Sequence, residues 1–337
     1  MAKINTLKLD AKDKKILLEL ETNARQSSAR IAKRVRLSED VVNYRIKKYL
    51  KGGLITKFFI IPLFDKLGFT TYRIYLQFKA TTTKKEEEII DFVRDELPCQ
   101  WLGVCDGQWD VIARISARDV FEFNNLMDKF FQKFGTYIAR KEFAIQLRHT
   151  WWPSTYGLTE GSRKGKLKHE VPWSVLQTEH DQLDLKILSI MIDEARLPTV
   201  EIAKKVGVSP DTVHYRIKKL VNDGVITQIK SYFNRKTLGY QHNQVFLKLF
   251  QEPKRIRELI SFLNQFEQCF FVSSMVGAWD MQIGIDARDS VEFHALFSTI
   301  KENFSDVIAG YETLIVYREY APNPFKYFIE NAGGGPV

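Results

Sequence analysis

Asn43, Tyr44, Arg45, Lys47 and Lys48 fall within one short segment, and His214, Tyr215, Arg216, Lys218 and Lys219 fall within another. An asparagine amide can pair with the edge of adenine, a lysine can reach guanine or a phosphate oxygen, and arginines add charge along a nucleic-acid backbone. The chemistry offered is contact with double-stranded DNA. Other chemistry is thin. The histidines His149, His169, His180, His214, His242 and His294 are scattered, and no GxSxG, HExxH or phosphate-loop pattern occurs. His149, beside Trp151 and Trp152, reads as structural. Cys99, Cys105 and Cys269 form no CxxC pair, which argues against zinc and against a disulfide frame. No metal, no cofactor and no catalysed reaction are expected.

The elements that must present these residues are written twice. A shift of 171 residues lays IAKRVRLSEDVVNYRIKKYLKGGLIT onto IAKKVGVSPDTVHYRIKKLVNDGVIT, and a shift of 170 lays Gly107-Gln108-Trp109-Asp110 onto Gly277-Ala278-Trp279-Asp280. In each copy an aspartate, Asp10 or Asp181, precedes an apolar stripe at helical spacing. A second short helix is expected from about Ser28 to Val35 and from Thr199 to Val206. A tight turn then leads to Ser38 or Ser209, each suited to cap a third helix, with Thr212 in the first turn of the second copy's. That third helix buries Val42, Ile46, Tyr49 and Leu50 on one face, leaving the DNA-facing residues on the other. Gly53-Leu54-Ile55-Thr56 and Gly224-Val225-Ile226-Thr227 end the helix and open an extended segment, expected to form a wing.

Charge agrees with this placement. Residues 1–57 hold 15 Lys and Arg against 6 Asp and Glu, residues 70–150 hold 12 of each sign, and residues 181–230 hold 8 against 7. The first head is therefore the stronger polyanion contact. No apolar run approaches the roughly 18 residues of a membrane span, and the N-terminus has no apolar signal core, so a cytoplasmic, nucleoid-associated protein is expected.

Behind each head the periodicity changes. Tyr72–Lys79 alternates as a strand, Thr83–Glu96 carries a helical stripe, and Cys99–Asp106 and Trp109–Ile115 read as two strands joined at Gly107. A second helix stripe from Phe121 to Phe131 and a last strand from Tyr137 to His149 complete β-α-β-β-α-β, the ferredoxin-like plan. The second copy repeats it from Val245 to Tyr317. The fold class is α+β, in six segments: a winged helix-turn-helix over 1–65, a ferredoxin-like domain over 66–155, a linker over 156–178, a second head over 179–236, a second ferredoxin-like domain over 237–328, and a flexible tail over 329–337. The open faces of the two sheets are expected to pair within the chain as a pseudo-symmetric internal dimer.

These residues resemble the leucine-responsive and asparagine-regulatory (Lrp/AsnC) transcription factors over nearly the whole of both copies. The pattern comprises Leu9, Asp10, Asp13, Ile16 and Leu17, the Ser-x-x-x-Val-x-x-Arg-Ile helix, the Gly-x-Ile-Thr segment and the Gly-x-x-Asp turns. The resemblance implies a regulator whose RAM-type ferredoxin-like halves dimerise, assemble further, and bind an effector such as an amino acid near Gly107, Asp110, Gly277 and Asp280. The sequence departs from the family pattern at Arg36, which replaces the usual turn glycine, at Trp109 and Trp279, and in the fusion itself, which fixes a one-to-one ratio of unequal heads. Two other readings stand beside it. Siroheme decarboxylases are similar, but the strands WLGVCDGQWDVIARI and FVSSMVGAWDMQIGI hold no histidine and only Arg114 as a cation. A DNA-coating protein of low sequence preference is the third.

Overall fold

In the computed structural model, which describes residues 9–152 and 177–331, the first head consists of helices α1 (Ala11–Thr22), α2 (Ser28–Val35) and α3 (Glu39–Lys51), followed by strand β1 (Ile55–Pro62). The first sheet runs β2 (Thr70–Phe78), α4 (Thr83–Asp95), β3 (Cys99–Asp106), β4 (Val111–Ala117), α5 (Val120–Phe134) and β5 (Ile138–Trp151). The second copy repeats the order with α6 (Gln182–Glu194), α7 (Thr199–Val206), α8 (Pro210–Asn222) and β6 (Ile226–Phe233). It continues with β7 (Gln241–Leu249), α9 (Pro253–Leu263), β8 (Cys269–Gly277), β9 (Met281–Ala287), α10 (Ser290–Asn303) and β10 (Ile308–Tyr320), and ends in α11 (Pro324–Glu330). The linker, apart from residues 177 and 178, and the tail residues 332–337 lie outside the described residues.

The two sheets do not stack face to face. Their edges join: β10 pairs antiparallel with β3, and β5 with β8, closing a single eight-stranded barrel in the order β10-β3-β4-β2-β5-β8-β9-β7. Closure satisfies the edge strands of both halves, which an open pair of sheets would leave unpaired. Period-two alternation then divides each strand between two environments. On β2, Tyr72, Ile74 and Leu76 face α4 and α5, while Tyr75 points inward to meet Trp109, Phe246, Met275 and Trp279. The two tryptophans therefore fill one end of the barrel. Trp109 is fully buried, its Nε1 donating to Glu312 Oε2 at 3.2 Å.

The heads are joined as closely as the sheets. β1 does not fold back as a wing on its own head; it pairs antiparallel with β6 of the other, forming a two-stranded ribbon. Reciprocal arginines fasten the joint: Arg25 donates to the carbonyls of Ala195 and Leu197, and Arg196 to those of Ala24 and Gln26. One apolar core consequently runs through both heads.

Residues 329 and 330, expected in a flexible tail, belong to α11. Phe325 stacks on Phe64 at 5.3 Å and Phe328 on Phe69 at 3.9 Å, and Asn323 Nδ2 donates to the Ser189 carbonyl at 2.7 Å. Asn323 followed by Pro324, with aromatics three residues apart, was the available sequence signal for this helix.

Candidate nucleic-acid interface

Each recognition helix is positioned by its own cap. Ser38 Oγ accepts from the Val41 amide at 3.3 Å, and Ser209 Oγ accepts from the Thr212 amide at 3.1 Å while lying 2.8 Å from Thr212 Oγ1. These three hydroxyls, expected at the DNA, also fix the helix starts. The turn into α3 is as tight as the one into α8, because Arg36 adopts the left-handed conformation (φ 57°, ψ 61°) that Gly207 adopts in the second copy (φ 74°, ψ 33°). A side chain there costs about 1–2 kcal/mol, partly offset by the greater freedom glycine has when unfolded. Arg36→Gly is therefore expected to stabilise the protein by about 0.5–1 kcal/mol in thermal unfolding; an unchanged or lower midpoint would show that Arg36 is held by something else.

The outward face of α3 carries Tyr44, which is 68% exposed, together with exposed Lys47 and Lys48 and half-buried Asn43. On α8 the same face carries Tyr215, 64% exposed, with His214 and Lys218 exposed. Lys219 is half-buried and donates to the Glu179 carbonyl at 3.0 Å.

Arg45 and Arg216 do not join this face. Arg45 Nη1 lies 2.8 Å from Asp10 Oδ2 and 2.5 Å from Asp13 Oδ1, and Arg216 lies 2.9 Å from Asp181 Oδ2 and 3.0 Å from Asp184 Oδ2. The same aspartates close reciprocal capping boxes at the starts of α1 and α6, so each arginine bolts its recognition helix to the first helix of its head. Hydrogen bonds donated to Asp10 and Asp13 push the Arg45 guanidinium above its ordinary value. In the first copy Tyr49 Oη also donates to Asp13 Oδ1 at 2.6 Å. The second copy has Leu220 there, and Asp184 Oδ1 is left buried without a partner.

At the turns expected to seat an effector, one carboxyl oxygen of each aspartate is engaged by the chain itself. Asp110 Oδ2 accepts from the Phe78 amide at 2.6 Å, and Asp280 Oδ2 from the Leu249 amide at 2.9 Å. At Gly107 (φ 141°) and Gly277 (φ 125°) the two sheets approach closely: a Cβ on Gly277 would lie 2.6 Å from the Phe143 carbonyl, and one on Gly107 would lie 2.5 Å from Leu314 Cδ2. Asp110 and Asp280 brace strands, and the glycines let the barrel close.

Arg114, counted alone in the sequence, is not alone in space. Arg73 on β2 is its direct cross-strand neighbour, and His149 on β5 and His242 on β7 face the same cavity. These partners come from strands far apart in sequence, which a search within single strands misses.

A family model described as winged helix-turn-helix DNA-binding matches residues 9–56 and 180–227. The regulatory protein AsnC of Haemophilus influenzae is 30% identical over 135 residues, covering 40% of this chain and 89% of that protein. The HTH-type transcriptional regulator FL11 of Pyrococcus abyssi is 29% identical over 140 residues, covering 42% of this chain and 91% of its own length. Such relatives span a single copy. The crystal structure of the siroheme decarboxylase NirDL spans both, matching 96% of this chain and 98% of its own with a TM-score of 0.61 at 15% identity. This likeness of fold corrects the expectation that the chain performs no reaction: an enzyme uses the same duplicated frame, so the architecture does not set catalysis aside.

Proposed function

Because the chain belongs to the leucine-responsive/asparagine-regulatory (Lrp/AsnC) family, we propose that it is a sequence-specific transcription regulator that holds double-stranded DNA with two unequal heads. The observation that carries this reading is the pair of recognition helices fused through one ribbon and one core, each with its polar face outward. Asn43 and His214 supply base-edge contacts, Lys47, Lys48 and Lys218 phosphate contacts, and Tyr44 and Tyr215 flat surface against the groove wall. With asparagine in one helix and histidine in the other, the preferred operator is asymmetric. Among the described residues no helix is long and apolar enough to cross a membrane, and a regulator of this kind works in the cytoplasm at the nucleoid.

Fluorescence anisotropy against a duplex from the protein's own upstream region and a scrambled duplex, at several salt concentrations, tests the reading. Discrimination of about a thousandfold or more is expected. Equal affinity for both duplexes would make it a coating protein. Binding to neither would overturn the proposal and favour an enzyme built on the same frame.

A further inference from the structure

The barrel is apolar at one end only. At the end facing the heads its interior opens into a chamber of about 460 Å³, roofed by the β1–β6 ribbon and walled by inward residues of both sheets. That volume lies within the range of small-molecule sites.

Arg73 and Arg114 stand directly opposite each other on β2 and β4 and both line this space. Like charges so paired repel. Among the described residues neither forms a salt bridge, and the Arg114 side chain makes no hydrogen bond, its guanidinium lying 5.9 Å from the centre of the Trp101 ring. Arg73 Nη2 donates only to neutral groups, Gln146 Oε1 at 2.7 Å and Ser273 Oγ at 3.0 Å. The Nε atoms of both arginines are buried without a partner. Burial and then the neighbouring Arg114 pull Arg73 down to about 9, and burial pulls Arg114 down to about 10, so both remain charged at neutral pH. His149 Nδ1 lies 2.6 Å from Ser273 Oγ while its Nε2 has no partner; burial and then the two arginines hold the ring well below its ordinary value, and it is neutral.

The opposite wall pairs its cation internally, one arginine against two carboxylates. Arg235 lies 2.9 Å from Asp286 Oδ2 and 2.6 Å from Glu319 Oε1, and Glu319 Oε2 also accepts from Trp101 Nε1 at 3.1 Å. Under the internal repeat, Arg73, Arg114 and His149 correspond to Gln244, Gly284 and Glu319. The uncompensated positive charge thus belongs to one wall, and the chamber has one anion site rather than a symmetric pair.

We propose that the chamber binds one small organic acid per chain, its carboxylate held between Arg73 and Arg114 and its apolar or aromatic body against Trp101 and Phe271. The two rings are buried and line the same space, and two guanidinium groups match a carboxylate both in charge and in hydrogen-bond geometry. The occupant touches the ribbon that joins the heads as well as the barrel.

Thermal shift and calorimetry on the full chain test it, with phenylacetate and indole-3-acetate, their amides phenylacetamide and indole-3-acetamide, and uroporphyrin III as probes. The acids are expected to bind one per chain and raise Tm, and the amides to do neither. Arg114→Met is expected to weaken the acids about 100-fold while raising the ligand-free Tm by about 2–4 °C, because it removes a buried cation that has no counter-ion. Arg73→Gln, which copies the residue of the second half, is expected to act in the same directions. In both variants duplex affinity without acid is expected to stay within about twofold of the parent, so failure here is distinguishable from failure of DNA binding. Equal response to acids and amides, binding of uroporphyrin III alone, acid binding that survives in Arg114→Met, or a lowered ligand-free Tm in both variants would each overturn the proposal.

Discussion

Replacing Glu21 with alanine is expected to lower stability by about 3–5 kcal/mol, because it strands a buried cation. Glu21 ends α1 of the first head, Lys230 sits on β6 of the second, and their charged atoms meet at 2.5 Å with side chains only 3% and 6% exposed. The pair crosses the joint between the heads, so its loss acts where the ribbon is assembled. The repeat supplies its own control. The corresponding positions of the opposite half are Ile192 and Phe59, an apolar solution to the same space. Glu21→Ile combined with Lys230→Phe is therefore expected to recover most of the loss, since a buried ion pair and a packed apolar pair of similar volume are close in free energy. Urea denaturation followed by circular dichroism checks both. A single variant within about 1 kcal/mol of the parent would mean that water reaches Lys230 and that the pair is not a constraint on the joint.

Much of this was readable in the sequence, and the misses share a physical origin. The helices, their aspartate and serine caps, and the order β-α-β-β-α-β follow from local periodicity and capping chemistry, which act within a few residues. Long-range pairing does not. Nothing near Ile55 or Ile226 says that the extended segment pairs with its counterpart instead of folding back, and nothing in the edge strands says that the sheets close edge to edge. At the site the local view has the same limit. Arg45 looks like a DNA contact in sequence because Asp10 and Asp13 lie more than thirty residues away. Asp110 looks wholly free in sequence, and only the fold brings the Phe78 amide to one of its oxygens. Arg73 alternates on β2 like any inward residue and acquires meaning only when closure brings Arg114 and His149 around the same space.

Replacing Lys47 and Lys48 together with alanine is expected to reduce the slope of log K against log salt by about 1.8, two phosphate contacts at about 0.9 each, and to weaken binding to all duplexes alike. Both side chains are exposed on α3 and neither takes part in an internal salt bridge among the described residues, so their removal leaves the head folded. The control is Arg45→Ala. An arginine bound to phosphate would steepen the salt dependence, whereas one locked to Asp10 and Asp13 contributes to the head's stability; this variant is expected to lower Tm and leave the slope unchanged at temperatures where the protein is folded. Asn43→Ala is expected to differ from both, costing about 1–3 kcal/mol at one base position and nothing on duplexes that lack that base. In the second head the matching change at Lys218 and Lys219 is expected to be smaller, about one contact, because Lys219 already donates to the Glu179 carbonyl and must leave it to reach a phosphate. A slope that falls equally for the two heads would show that they contribute alike to phosphate binding and that Lys219 leaves the Glu179 carbonyl on DNA.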